Sequence, residues 1–274
     1  MKRLVSILAS VAVSASILSA QDFNTVAAAF NSAIQLEDKT QSITALRAVI
    51  PQAQALGEEG AAIVENAKAG ILSAQETIAK TQFNDKEFDG AIAAFEQLKA
   101  LADEFGRPDD KKEADANIQR AWFSKGLVAL QAKDFVSAEE PFAKAVELKA
   151  DDGMAWFRLG QVKNALKKTD EAVEAFQKAA QFGQEANANK QLGNIYLKQG
   201  SAALKAGKSQ EAIDALSKVN DYTPNAQVYK LIGNANRNLN KNADAIAAYE
   251  KYLEAAPDAA DAATVKEIIT QLKK

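Results

Sequence analysis

Gly207-Lys208-Ser209, within AGKSQE at residues 206–211, is the fragment that comes nearest to phosphate-binding chemistry. A loop of backbone amides followed by a lysine and a hydroxyl can cradle phosphate oxygens. That chemistry needs another glycine five positions before Gly207, where Ala202 stands, and no strand leads into the fragment. The repeat spacing described below makes these residues a turn between two helices. The acidic pairs Asp109-Asp110, Glu139-Glu140 and Asp151-Asp152 could do acid–base or calcium work. No alternating-oxygen loop follows any of them, so they read as solvated loop and helix-start carboxylates. The chain has no His and no Cys. It therefore lacks the usual ligands for zinc, copper, haem and iron–sulfur centres, the commonest general base, the thiol nucleophile and any disulfide. No catalytic residue, metal site or cofactor is expected. The enzymatic alternative is a hydrolase that uses Ser, Lys and carboxylates.

These side chains have to be carried by a folded scaffold, and the composition fits one. The chain has 274 residues, 47% apolar and 25% charged, with five Pro and 13 Gly, which suits long helices. Its 33 basic and 36 acidic side chains are spread without a basic block, so nucleic acid is not an expected partner. Residues 1–20 read as a secretory signal: Met1-Lys2-Arg3 is basic, Leu4 to Leu18 is largely apolar, and Ser19-Ala20 precedes Gln21 like a cleavage site. An apolar run of 15 residues falls short of the roughly 20 that a bilayer span needs, so no membrane span is expected after cleavage. The expected location is the periplasm of a Gram-negative cell, with secretion as the alternative.

AWFSKG at 121–126 returns as AWFRLG at 155–160, which sets Trp122 and Trp156 34 positions apart. The match continues through Gly126 and Gly160, Ala138 and Ala172, Phe142 and Phe176, and Ala145 and Ala179. The same order recurs as Tyr196, Gly200, Ala212, Leu216, and again as Tyr229, Gly233, Ala245, Tyr249. Upstream it weakens to Gln75, Ala79, Ala91, Phe95, and then to Ala29, Ala33, Ala45, Val49. Spacings of four put each pair on one helix face, and twelve residues between the two pairs leave room for a turn, so each unit is two antiparallel helices. The small residue admits the partner helix, and the aromatic fills the space beside it. One hairpin cannot cover its own apolar stripe, so neighbours must stack.

A bulky residue four before Gly, then Ala four before an aromatic, with Pro224 and Pro257 closing units, resembles the tetratricopeptide repeat family over residues 119–259. The resemblance is weaker over 72–110 and weaker still over 21–57. It implies an all-α fold, a right-handed superhelix of stacked antiparallel helix hairpins with a concave inner face, that binds proteins and catalyses nothing. Lys125 and Gln199 stand before the glycine where the family prefers Leu, and Tyr252 stands where it prefers Ala. The organisation expected is a signal at 1–20, degenerate hairpins at 21–57 and 58–110, repeats at 119–152, 153–192 (with an extension), 193–225 and 226–259, and a capping helix at 260–274. Extra residues fall around GRPDDKK at 106–112 and around QFGQEANAN, as solvated loops or lengthened helix ends. Pro51 and Pro141 fall inside second helices, where local bends are expected.

Positions one, five and eight after the bulky residue share a helix face turned about 100° from the packing face. In the family that face lines the groove. Here it reads Phe123, Leu127, Leu130; then Phe157, Gln161, Asn164; then Leu197, Ser201, Leu204; then Lys230, Asn234, Arg237. Its middle is apolar and its end basic and amide-rich, which suits a partner helix or peptide with apolar anchors and an acidic end. The other reading is that neighbouring modules close over these side chains. Lys230 and Asn234 also resemble the first pair of a carboxylate clamp, but they sit in the last module with none after it. Self-association of arrays is an alternative use of the open face.

Overall fold

A computed structural model describes residues 22–274, so the signal reading at 1–20 lies outside the described residues. The fold is all-α. Two compact units, Met1–Leu127 and Val128–Lys274, divide inside one helix. The first contains α1 (22–34), α2 (Lys39–Ala55), α3 (Ala61–Asn84), α4 (Phe88–Glu104) and most of α5 (Pro108–Gln131). The second contains the end of α5 and α6 (Phe135–Leu148), α7 (Gly153–Ala165), α8 (Thr169–Ala179), α9 (Glu185–Lys205), α10 (Ser209–Tyr222), α11 (Ala226–Asn238), α12 (Asn242–Ala255) and α13 (Ala262–Leu272). In the first unit α2 packs on α3 and α3 on α4, and in the second each helix from α6 to α12 packs on the one that follows it.

The turns follow from the same spacing that sets the packing. Lys86, Lys133, Lys167, Gly207 and Asn240 each stand seven residues after the small residue of their module. All five have positive φ, between 56° and 73°. In each turn the next amide donates to a carbonyl five residues back, as Lys168 N does to Lys163 O and Lys208 N to Ala203 O, both at 2.9 Å. This left-handed stop satisfies carbonyls at the end of the first helix and reverses the chain. Gly207-Lys208-Ser209 is one of these turns. Helices α6 and α7 start on side-chain caps: Asp134 accepts from Ser137 N and Asp152 from Ala155 N, both at 3.0 Å. One of the acidic pairs is thus engaged in capping.

Gly160, Gly200 and Gly233 are points of close approach between paired helices. A Cβ on Gly160 would lie 2.8 Å from the Phe176 ring, one on Gly200 2.5 Å from Leu216 Cγ, and one on Gly233 2.6 Å from the Tyr249 ring. Phe176, Leu216 and Tyr249 are fully buried, as are Ala172, Ala212 and Ala245. Ala138 and Phe142 are fully buried, and Gly126 is buried on α5. Trp122, Trp156 and Tyr229 are half-buried, and Tyr196 is buried. Burying an aromatic of about 150–250 Å² contributes about 4–6 kcal/mol as an upper figure.

Both insertions become helix. Gly106 ends α4 with φ of 66°, and Pro108 opens a 24-residue α5 at the first helical position, where proline is tolerated. After α8 the chain passes through a π-helical turn at Ala180–Gln184, with Phe182 and Gly183 off helical geometry, and then forms the 21-residue α9. The module limits read at 110, 119 and 193 therefore fall inside α5 and α9. Helices α2 and α6 run on through Pro51 and Pro141.

The last helix closes the second unit. Val265 and Ile269 of α13 pack with Tyr249 and Tyr252 of α12. Asp261, just before α13, accepts a short hydrogen bond from Tyr252 OH on one carboxylate oxygen, and Lys230 Nζ lies 2.6 Å from the other. Lys230 Nζ also lies 5.4 Å from the centre of the Tyr252 ring. The lysine and then the phenol hold the Asp261 carboxyl below its ordinary range. Tyr252, larger than the alanine its module position calls for, is the residue that ties α13 down.

Gly200→Ala is expected to destabilise the chain by about 1–3 kcal/mol in urea unfolding, since the clash outweighs the roughly 1 kcal/mol that alanine contributes to helix propensity; an unchanged midpoint contradicts the packing. Lys167→Gly is expected to stabilise it by about 0.5–1 kcal/mol, because glycine carries no left-handed strain; a lower midpoint contradicts the turn. A carboxyl with a depressed pKa contributes above its unfolded pKa and loses that contribution as pH falls through the folded one. Asp261→Asn should therefore speed amide exchange in α13 at pH 7, and the difference from wild type should shrink as pH falls from about 4, the ordinary carboxyl value, toward the lower folded one. An equal difference across that range rules out the Asp261 carboxylate as the anchor.

Candidate partner-binding surface

The helix face one residue round from the packing stripe is only partly open. Phe123 and Leu127 are half-buried in the first unit, and Leu130 is half-buried in the second. Phe157 was expected to line a groove and instead lies in the core, 8% exposed, with its ring centre 5.6 Å from that of Phe176. The reason is the insertion: the first turns of α9 bring Ala188 and Leu192 into the same apolar cluster as Phe157. Gln161 is half-buried and accepts from Arg158 Nη1 at 2.9 Å, while Asn164 is exposed.

On α9 the stripe stays open on one side. Leu197 and Leu204 pack at the margin of the Tyr196–Leu216 cluster and remain partly exposed, with half-buried Ser201 between them. On α11 the basic, amide-rich end is largely consumed. Lys230 is paired with Asp261, and Asn234 accepts from Tyr249 OH at 2.7 Å. The acidic end of a partner therefore does not meet a free Lys230, and Lys230 with Asn234 does not form a clamp. The capping segment supplies the carboxylate instead. Arg237 remains exposed. The other acidic pairs are engaged on the surface: Glu139 lies 2.8 Å from Lys168 Nζ, and Asp109 and Asp110 stand in the first turn of α5, where the helix dipole favours them.

Clefts between paired helices were not foreseen. One of about 620 Å³ runs between α9 and α10, floored by Ala202, Ala203, Ala206 and Ala215, with Tyr196 and Lys218 beside them. A smaller one of about 360 Å³ lies at the same place on α11 and α12, beside Tyr229 and Lys251. The signal for them was in the spacing: Lys144, Lys178, Lys218 and Lys251 each follow the module's aromatic by 22 residues. Lys218 Nζ lies 5.2 Å from the Tyr196 ring centre, and Lys251 Nζ 5.9 Å from that of Tyr229. Such contacts hold an ammonium against a ring face. No helix among the described residues is long and apolar enough to cross a membrane.

A family model described as tetratricopeptide repeat matches residues 76–153 and 197–260, and a second of the same description matches 155–182. Among solved structures, a TPR repeats protein from Bacteroides fragilis NCTC 9343 is 17% identical over 74% of this chain and 97% of its own, with a TM-score of 0.47. YrrB, described as a TPR protein with an unusual peptide-binding site, is 20% identical over 75% of this chain and 96% of its own, with a TM-score of 0.35. The MamA protein is 21% identical over 68% of this chain and 92% of its own, with a TM-score of 0.34. A search of curated proteins finds no match. With helix hairpins, left-handed turns and glycine-to-ring contacts at the spacing of the matched motif, the chain belongs to the tetratricopeptide repeat family.

Proposed function

We propose that the chain is an exported, non-catalytic scaffold of a bacterial cell envelope, which holds a helix or extended peptide of a partner protein on the face that α7, α9 and α11 share. One observation carries this reading. Leu197 and Leu204 stay half-exposed on α9 although Tyr196 and Gly200, the neighbouring positions, make the hairpin's packing contacts. An apolar pair seven residues apart suits side-chain anchors spaced along a bound segment. Gln161, Asn164 and Arg237 flank it with amides and a cation. A chain without His or Cys favours binding over catalysis. The basic-then-apolar leader at residues 1–20 supports export, to the periplasm in this reading.

A photoreactive residue at Leu204, introduced in the native cell, is expected to give a discrete adduct with one partner protein, and Leu197→Glu is expected to abolish it while leaving helicity intact. The periplasmic fraction should hold a chain that begins at Gln21. An adduct at wild-type level in Leu197→Glu, or an adduct made only of two copies of this chain, overturns the partner-binding reading. Recovery of the uncleaved chain in the cytoplasm overturns the export reading.

A further inference from the structure

The first and second helices of the hairpins in the second unit carry opposite charge. Helices α7, α9 and α11 together hold seven basic side chains and one acidic one, Glu185. Helices α8, α10 and α12 hold nine acidic side chains and three basic ones. The chain totals, 33 basic against 36 acidic, hide this division because the two sets cancel. Solubility needs charge on the surface, not charge sorted by helix, and like charges gathered on one face repel one another in the free protein.

Ion pairing does not remove the excess on the first helices. Lys163 is matched by Glu171 and Lys230 by Asp261. Lys190, Lys198, Lys205 and Arg237 are exposed, and none of them forms an ion pair among the described residues. Half-buried Arg158 bonds the Gln161 amide rather than an acid. These cations surround the apolar pair. Helix α9 shares one apolar cluster with Phe157 of α7 and another with Leu231 of α11, so it is the middle helix of the face. Lys190, Leu197 and Leu204 follow one another at intervals of seven in a row along α9, with Lys205 beside its end. Arg237 holds on α11 the module place that Leu204 holds on α9.

We infer that the segment held on the face of α7, α9 and α11 is acidic, with apolar anchors on Leu197 and Leu204 and side-chain carboxylates at Lys190, Lys205 and Arg237. The inference rests on the partner-binding reading above and adds the partner's charge. Charge complementarity selects this occupant: a carboxylate beside each cation relieves the repulsion among them and steers the encounter. A protein segment fits better than a nucleic acid. Phe157 is in the core, and Trp156, Tyr196 and Tyr229 stand on the packing stripe, so α7, α9 and α11 offer no ring on this face for a base to stack on. Lys230 and Asn234 take no part, being engaged by Asp261 and Tyr249.

The probes are fluorescein-labelled helical peptides with two leucines at the Leu197–Leu204 spacing, flanked by glutamates in one, glutamines in a second and lysines in a third. With the full chain at low salt, the glutamate peptide is expected to bind saturably and roughly tenfold more tightly than the glutamine peptide. Lys205→Glu with Arg237→Glu, both at exposed positions, should reverse the order and favour the lysine peptide, with far-ultraviolet circular dichroism unchanged. In the native cell the same double variant should lose the adduct at Leu204. Equal binding of the glutamate and glutamine peptides, or an adduct undiminished in the double variant, overturns the inference and leaves the apolar stripe standing. An adduct that persists in Leu197→Glu removes the stripe itself. Displacement of the glutamate peptide by a single-stranded oligonucleotide or by phosphatidylglycerol vesicles of equal charge gives the face to another polyanion and also overturns the inference, as does absence of saturable binding by the glutamate peptide.

Discussion

Backbone at a small residue pressed against a ring or leucine sixteen residues later is the contact on which the rest of the second unit depends. Gly160 meets Phe176, Gly200 meets Leu216, and Gly233 meets Tyr249, each with no room for a Cβ. The closeness fixes the distance between paired helices, and the left-handed residue seven positions after the glycine reverses the chain in time to make it. Buried rings on this face contribute several kcal/mol each as an upper figure. Because one face of each first helix is committed to that contact, its neighbouring faces become available for stacking or for display.

Most of the fold was legible because this contact has a sequence signature. A 34-residue period, small residues, and bulky residues four positions away carry the geometry in local spacing. The turns were legible for the same reason, although Lys133 and Lys167 take a conformation that glycine adopts more easily. What was not legible depends on distant partners. Phe157 reads as a groove residue by its place in the module and is buried because α9 is longer than the period requires. Lys230 reads as a free cation and is neutralised by Asp261, 31 residues away. The two insertions were visible as excess length. Whether they would be loop or helix was open, since Gly106, Pro108 and Gly183 read equally well as loop residues and as the ends of longer helices.

The regular and irregular parts of the second unit have different consequences. Regular spacing between α9–α10 and α11–α12 lets α10 line the cleft beside Tyr229, while the added turns of α9 bury Phe157. At the C-terminal end, Tyr252 and Asp261 use up the charge that a ligand would otherwise meet. Display is thereby concentrated on α9, where Leu197 and Leu204 stay partly exposed.

A double-mutant cycle on Gly160 and Phe176 tests the governing contact most directly. Gly160→Ala should destabilise the wild-type chain and lose that cost in a Phe176→Ala background, where the added methyl enters space the ring has left, giving a coupling of about 1–3 kcal/mol. Additive effects, with Gly160→Ala equally costly in both backgrounds, would contradict a fold set by glycine against ring.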